Sequence, residues 1–310
     1  MENKVQNGTK YDDEIDLREL FGVLWAGKIK IIAITAVFAL CSVIYALSIP
    51  NQYKATALLA PAQSDSSGLS GALGQLGGLA SLAGVSLGDG ESSETQIAQE
   101  IMKSWSYIED FIAENNIAVE LYAVEGWNAK PNSLEINNDI YDTEKNEWLI
   151  KDQNGELGPP SSWMLYNAFN EKLNVSEDKK SGLVSISIEY YSPLIAKQWV
   201  DKYVESINLF MQQRQVNKVS RNIEYLQEQI EKTSVAEMRE VFYSIIEEQT
   251  KNKMIAEASP DYVFVVVGQS MVPEQKSQPQ RALICILGTL LGGILSVLLV
   301  LLMHYARESK

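Results

Sequence analysis

Residues 22–28, Gly-Val-Leu-Trp-Ala-Gly-Lys, satisfy the first seven places of a G-x-x-x-x-G-K phosphate loop, a pattern with a chemical precedent. In such a loop backbone N–H groups cradle phosphates at a helix N-terminus, and the hydroxyl that follows the lysine ligates Mg2+. Ile29 stands where that hydroxyl belongs. The segment also runs straight into an apolar stretch instead of following a buried strand, so nucleotide binding is not expected. His304 is the only histidine, which leaves no Ser-His-Asp triad and no His/Cys zinc cluster in the middle of the chain. Cys41 and Cys285 each fall inside an apolar run, so they supply no disulfide framework for the polar region between them. Nothing singles out an acid–base pair among the 33 Asp and Glu of residues 51–281. Trp105, Trp127, Trp148, Trp163 and Trp199 have rings suited to stacking on sugars, although core or interface packing is the favoured reading. The expectation is a non-enzyme with no catalytic residue, no cofactor and no metal.

The informative residues lie in and around two terminal apolar runs, Ile31 to Ile49 and Ala282 to Met303. At ~1.5 Å per helical residue these reach roughly 28 and 33 Å, against a hydrocarbon core of about 30 Å. The implied organisation is a terminal segment 1–30, a span 31–49, an exported domain 50–281, a second span 282–303 and a tail 304–310. Lys28 and Lys30 abut the first span on its N-terminal side and Arg18 lies upstream, whereas only Lys54 is near on the far side. The positive-inside rule therefore puts both termini in the cytoplasm. A cleavable signal peptide competes for the first run, because Ala46-Leu47-Ser48 resembles a small-residue cleavage site. The length of the run and the six acids among the residues before it favour a retained span. Residues 51–281 carry 19 Lys and Arg against 33 Asp and Glu, so the net charge of -14 is almost all exported. That surface repels nucleic acid, and plain solubility explains it better than cation binding.

Pro273, Lys276 and Pro279 stand three apart just before Arg281, a spacing suited to a stiff, extended lead-in to the second span. Inside that span Gly288 and Gly292 form a GxxxG pair extended by Ser296, a face that another helix can approach closely. Ser42 and Ala46 offer a milder small-residue face on the first span.

The domain between the spans reads as α+β. "QYKATALLA" before Pro61 predicts a strand leaving the first span. Eight glycines from Gly68 to Gly90 are interleaved with leucines, an apolar and backbone-exposing segment suited to contact with a neighbouring subunit through residues such as Leu76 and Leu79. An amphipathic helix is expected from Ser93 to Asn115, irregular structure from Val119 to Ser162, a short helix near Trp163 to Leu173, and a half-buried strand at Leu183 to Tyr190. Ser192-Pro193 opens a helix running to about Glu231. Its distal stripe of Val219, Ile223, Leu226 and Ile230 is narrow enough to imply partner helices and marks an oligomer-interface candidate. A break near Thr233, with a capping box formed by Ser234 and Glu237, starts a second helix to about Ala258, so the arm either doubles back or continues with a kink. A strand from Tyr262 to Val272 follows and can pair with the first one.

Over nearly its whole length the chain resembles the Wzz-type chain-length determinants, polysaccharide co-polymerases of bacterial inner membranes. The resemblance rests on "DLRELFGVLWAGKIKII", "QYKATALLAP", "GGLASLAGVSLG", "SPLIAKQWVDKYVESIN" and the proline-rich approach to a glycine-rich last span. The family's usual motif has three prolines at intervals of three, and Lys276 stands where the middle one belongs. The resemblance implies a periplasmic α+β base with a long helical arm, assembly into a homo-oligomeric ring, and non-catalytic control of modal polymer length. The implied partners are a Wzy-type polymerase, lipid-linked glycan and membrane lipid. Lipopolysaccharide O-antigen is the leading target, with capsule, exopolysaccharide or enterobacterial common antigen as alternatives and a periplasmic adaptor or sensor as a more distant reading. The short tail after Met303 leaves no room for the fused kinase of some relatives.

Overall fold

The computed structural model describes residues 17–62, 90–151 and 155–308. The glycine–leucine stretch of residues 68–89, with Leu76 and Leu79, lies outside them. The chain forms two compact units, Met1–Ile49 with Gln278–Lys310, and Pro50–Ser277. In the first unit α1 (Leu17–Ala26) leads into α2 (Lys28–Ser48). The second unit runs β1 (Tyr53–Pro61), α3 (Gly90–Lys103), α4 (Trp105–Asn115), α5 (Ala118–Tyr122), β2 (Val124–Asn128), β3 (Ser133–Ile136), β4 (Tyr141–Asp142), β5 (Glu147–Trp148), β6 (Ile150–Lys151), β7 (Leu157–Gly158) and α6 (Ser162–Asn170). It continues through β8 (Leu173–Glu177), β9 (Val184–Tyr190), α7 (Pro193–Lys232), α8 (Ala236–Ala258) and β10 (Phe264–Gly268). The last helix, α9 (Arg281–Glu308), returns to the first unit. Both α2 and α9 are long and apolar enough to cross a membrane.

The expected α+β mixture is present as a four-stranded antiparallel sheet in the order β10-β1-β9-β8. Alternation on β1 follows from its burial: Ala55, Ala57 and Leu59 face the core while Lys54, Thr56 and Leu58 face out. β1 and β9 pair from Tyr53↔Tyr190 to Leu59↔Val184, which aligns Ile186 and Ile188 with the alanines of β1. The proximal turns of α7 cover this sheet, burying Ala196, Trp199, Val200, Tyr203, Val204, Ile207 and Met211 at three-four spacing. Ile108, Phe111 and Ile112 of α4 join the same core. β9 is more deeply buried than its alternation predicts, since Ser187 on the polar register is also enclosed.

Several boundaries differ from the sequence reading. The single helix expected at 93–115 is two helices, because Ser104 adopts extended backbone (φ −74°, ψ 146°) and its Oγ donates to the Ile101 carbonyl at 2.7 Å. Asn116 closes α4 in the left-handed conformation (φ 54°), a geometry asparagine tolerates. The capping box of Ser234 and Glu237 does not form: Val235 is the N-cap of α8, with no side-chain cap bond. The strand expected over 262–272 shortens to β10, whose ladder to β1 covers only Leu58 to Pro61 and is interrupted by a bulge.

The arm doubles back. From α7, the Gln212 Nε2 donates to the carbonyls of Ala256 (2.9 Å), which also takes the Ser259 N–H, and of Ser259 (3.0 Å), tying α7 to the C-terminal end of α8. One turn earlier, buried Asn208 accepts at Oδ1 from the backbone N–H groups of Val263 (3.0 Å) and Phe264 (2.9 Å), and its Nδ2 donates to the Phe264 carbonyl at 2.8 Å. Two amides four residues apart thus clamp the return from α8 into β10. Replacing Asn208 with Ala strands two donors and an acceptor, at a cost of roughly 2 kcal/mol or more. Thermal unfolding of the detergent-solubilised chain should show this loss, with Asn208→Asp intermediate because it keeps only the acceptor; an unchanged midpoint for Asn208→Ala would mean that water replaces the clamp.

Candidate functional site

Within the first unit, α2 and α9 pack along each other through small residues. A Cβ added at Gly288 would come within 2.5 Å of the Ser42 Cβ, and one added at Gly292 would collide with the Phe38 Cβ and lie 2.8 Å from its Cγ. Neither position has room for a larger residue. Ser296 is fully buried: its Oγ donates to the Gly293 carbonyl at 2.7 Å and shares a hydrogen bond with the Thr35 Oγ1 at 3.3 Å. Ser42 returns its own hydroxyl to the Ala39 carbonyl at 2.8 Å, which hides its polarity, and Ala46 is buried. Gly288, Gly292, Ser296, Ser42 and Ala46 therefore lie on one seam inside one chain. The sequence reading did not single out Thr35, Phe38 and Val300. A Cβ at Gly27 would meet the Val300 Cγ1 at 2.5 Å, so the second glycine of the phosphate-loop-like run serves helix packing. The opposite face of α9 presents Leu283, Leu287, Leu290, Leu291, Ile294 and Leu298 outward, as a lipid-facing helix requires.

The four lead-in residues are divided between the units, whose boundary falls after Ser277. In the second unit Pro273 is half-buried and Lys276 exposed, and the chain bends at Glu274–Gln275 instead of holding one extended polyproline run. Its position is set by Ser277, whose N–H and Oγ donate to the Gln52 carbonyl at 2.8 and 3.1 Å. In the first unit Pro279 is buried, and Arg281 reaches across to the C-terminal carbonyls of α2, with Nε donating to Ala46 at 3.0 Å and Nη2 reaching Ile49 at 3.5 Å. A guanidinium here complements the negative end of the α2 dipole.

On the arm, α8 packs along α7. Val219 (2 % exposed) and Ile230 (7 %) are buried and Ile223 and Leu226 half-buried within the single chain. Within the chain, α8 is the helix that lies beside this stripe. The apolar side chains left open on the hairpin include Tyr225 of α7 with Val235, Met238, Val241, Tyr243, Ile245, Met254 and Ile255 on or beside α8.

Among the described residues, the titratable groups with shifted pKa values sit in packing and turn positions. No group of three or more His, Cys, Asp or Glu is disposed to hold a metal among them. Burial raises the hydroxyl pKa of Tyr107, Tyr190 and Tyr203 far above the usual value, and Tyr262 is pushed up to about 12 by burial and by Glu94 beside it. These phenols are neutral donors: Tyr190 donates to the Glu120 carbonyl at 2.5 Å and Tyr203 to that of Met102. Asp142 and Asp178 lie below the ordinary carboxylate range because turn N–H groups donate to them. Burial lowers the Lys172 pKa, and its ammonium sits 5.4 Å from the centre of the Tyr191 ring. Trp199 is core, Trp127 is edge-on to Tyr53 and Trp148 to Tyr141, whereas Trp105 and Trp163 are exposed.

Comparison with known proteins bears out the family resemblance. Residues 13–115 match the family model described as Wzz, chain length determinant protein. No curated protein matches by sequence. Among solved structures, a full-length bacterial polysaccharide co-polymerase aligns at 14% identity and a TM-score of 0.42, over 94% of this chain and 99% of that one. A fragment of WzzB, a polysaccharide co-polymerase from Salmonella Typhimurium, aligns at 13% identity and a TM-score of 0.31, over 74% of this chain and 100% of that one. A point mutant of the Shigella flexneri lipopolysaccharide O-antigen chain-length regulator aligns at 9% identity and a TM-score of 0.24, over 73% and 100%.

The seam predicts a specific cross-link. With Cys41 and Cys285 replaced by Ala, a Thr35→Cys, Ser296→Cys pair should oxidise in membranes to a disulfide within one chain, read by peptide mass. Adding Gly288→Leu and Gly292→Leu should reduce that product at least several-fold by forcing α2 and α9 apart. A product linking two chains would assign the seam to neighbouring copies instead.

Proposed function

We propose that this chain, whose residues 13–115 match the Wzz chain length determinant model, sets the modal length of a surface polysaccharide, most simply lipopolysaccharide O-antigen. It does so as a non-catalytic, homo-oligomeric co-polymerase beside a Wzy-type polymerase that extends lipid-linked glycan. The observation that carries this reading is the family match itself, which takes in the lead-in, the first span and the strand that follows it. In this reading α2 and α9 cross the bacterial inner membrane with both termini cytoplasmic, and the unit from Pro50 to Ser277 is periplasmic. Lys28 and Lys30 at the start of α2 support that orientation.

The mechanism proposed is scaffolding. Copies assemble as a ring through surfaces that include the open apolar side of the hairpin, Met238, Val241, Met254 and Ile255 among them. The ring governs how long a growing glycan stays engaged with the polymerase. An acidic periplasmic surface suits this, because it keeps copies soluble and leaves apolar contacts to decide assembly.

Deletion of the gene should convert a clustered lipopolysaccharide ladder on a gel into a broad distribution of short chains, with total polymer retained. An unchanged ladder would overturn the O-antigen assignment, and the capsular polysaccharide and enterobacterial common antigen of the same strain would then be sized. Loss of all polymer would point to a catalytic role and refute the scaffold reading.

A further inference from the structure

Two of the five tryptophans in the second unit share one open patch. Trp105 opens α4 and is 48 % exposed, and Trp163 in the first turn of α6 is 56 % exposed. Their rings meet edge to face, with centroids 5.9 Å apart and planes at 86°. Tyr166, three residues after Trp163, lies 5.3 Å from it at an interplanar angle of 31°. Two polar edges of this group are already used: the Trp105 Nε1 donates to the Ser162 Oγ at 2.6 Å, and the Tyr166 hydroxyl donates to the Lys103 carbonyl at 3.3 Å. Behind the patch, Phe111 of α4 and Phe169 of α6 are buried against each other at 5.4 Å. Trp105 and Trp163 stay about half exposed on these two helices, while Tyr166 is half-buried against the core.

Size decides what such a patch fits. A tryptophan offers ~150–250 Å² of surface, so two half-exposed rings leave on the order of 200 Å². A stable protein interface needs about 800 Å² from each partner. The patch is too small to dock a protein and matches the C–H face of one or two sugar rings. Glu109 follows Trp105 by four residues and Asn167 follows Trp163 by four, so a carboxylate and an amide share these helix faces. They supply the acceptors and donors that sugar hydroxyls require.

We infer that Trp105, Trp163 and Tyr166 form a stacking site for one or two pyranose residues of the growing polysaccharide. The assignment of that glycan rests on the chain-length reading above; the stacking geometry does not. The contact is shallow and open, as a surface must be if a polymer is to slide past it.

The test uses the full-length chain in a detergent without a sugar headgroup, with saturation-transfer NMR on polysaccharide released by mild acid from the producing cells. Saturation should pass to pyranose ring protons, fall at least fivefold in the Trp105→Ala, Trp163→Ala double variant, and remain above half in Trp163→Phe, which keeps an aromatic face. Absence of transfer to the wild-type chain, or full transfer to the double variant, would overturn the site. Circular dichroism and oligomer size of each variant separate lost stacking from lost fold. A ladder that still shifts on gene deletion while no transfer is seen removes this site alone. Transfer through these rings with an unchanged ladder leaves the site standing and removes the O-antigen reading.

Discussion

The antiparallel ladder between β1 and β10 holds the first strand of the larger unit against its last, and closes a loop of some two hundred residues. Closing a loop of that length costs about 5 kcal/mol in chain entropy by the logarithmic rule. The ladder is short and bulged between Leu58 and Leu59, so it does not meet that cost alone. Asn208 completes it from the side, giving the start of β10 a twice-used acceptor and a donor that a longer strand partner would have supplied. The same helix that covers the sheet thus also fastens its edge. The Ser277 bonds to Gln52 extend the closure past the end of the ladder.

That arrangement explains which elements were legible in the sequence. β1 and β9 read cleanly because one face of each packs on α7, which forces the period of two. The start of α7 was legible from Ser192-Pro193, and its turn near Thr233 from the change in pattern there. The break at Ser104 was not, because the apolar spacing of α3 and α4 continues across it while one serine leaves the helical region. The capping box at Ser234 and Glu237 failed for a related reason: motif spacing is necessary for the reciprocal bonds, but the backbone places Val235 at the cap. Asn208 and Gln212 escaped notice although a signal existed. Asn208 stands next to Ile207 on the buried face of α7, where an amide is costly unless it is fully satisfied.

Close approach between the spans is a local matter, which is why small-residue spacing can signal it in a sequence. In lipid, apolar burial does not drive helices together, so contact depends on backbones coming near through residues without bulk. Gly288 against Ser42 and Gly292 against Phe38 show this directly: one helix supplies the gap and the other fills it. Sequence alone did not identify Phe38 as the filler, because a phenylalanine in an apolar span carries no pattern of its own. Arg281 was picked out as the residue that follows the prolines, whereas its guanidinium works on the last carbonyls of α2.

The arm shows the boundary of what a stripe can tell. Val219, Ile223, Leu226 and Ile230 specify that some helix lies beside α7, and spacing carries no information about which chain provides it. The decision belongs to the turn at Thr233: once α8 folds back, it takes the stripe in cis. Met238, Val241, Met254 and Ile255 of α8 stay exposed. Burying Val219 and Ile230 against α8 meets within one chain the need for a partner helix that a narrow apolar stripe on a long helix expresses.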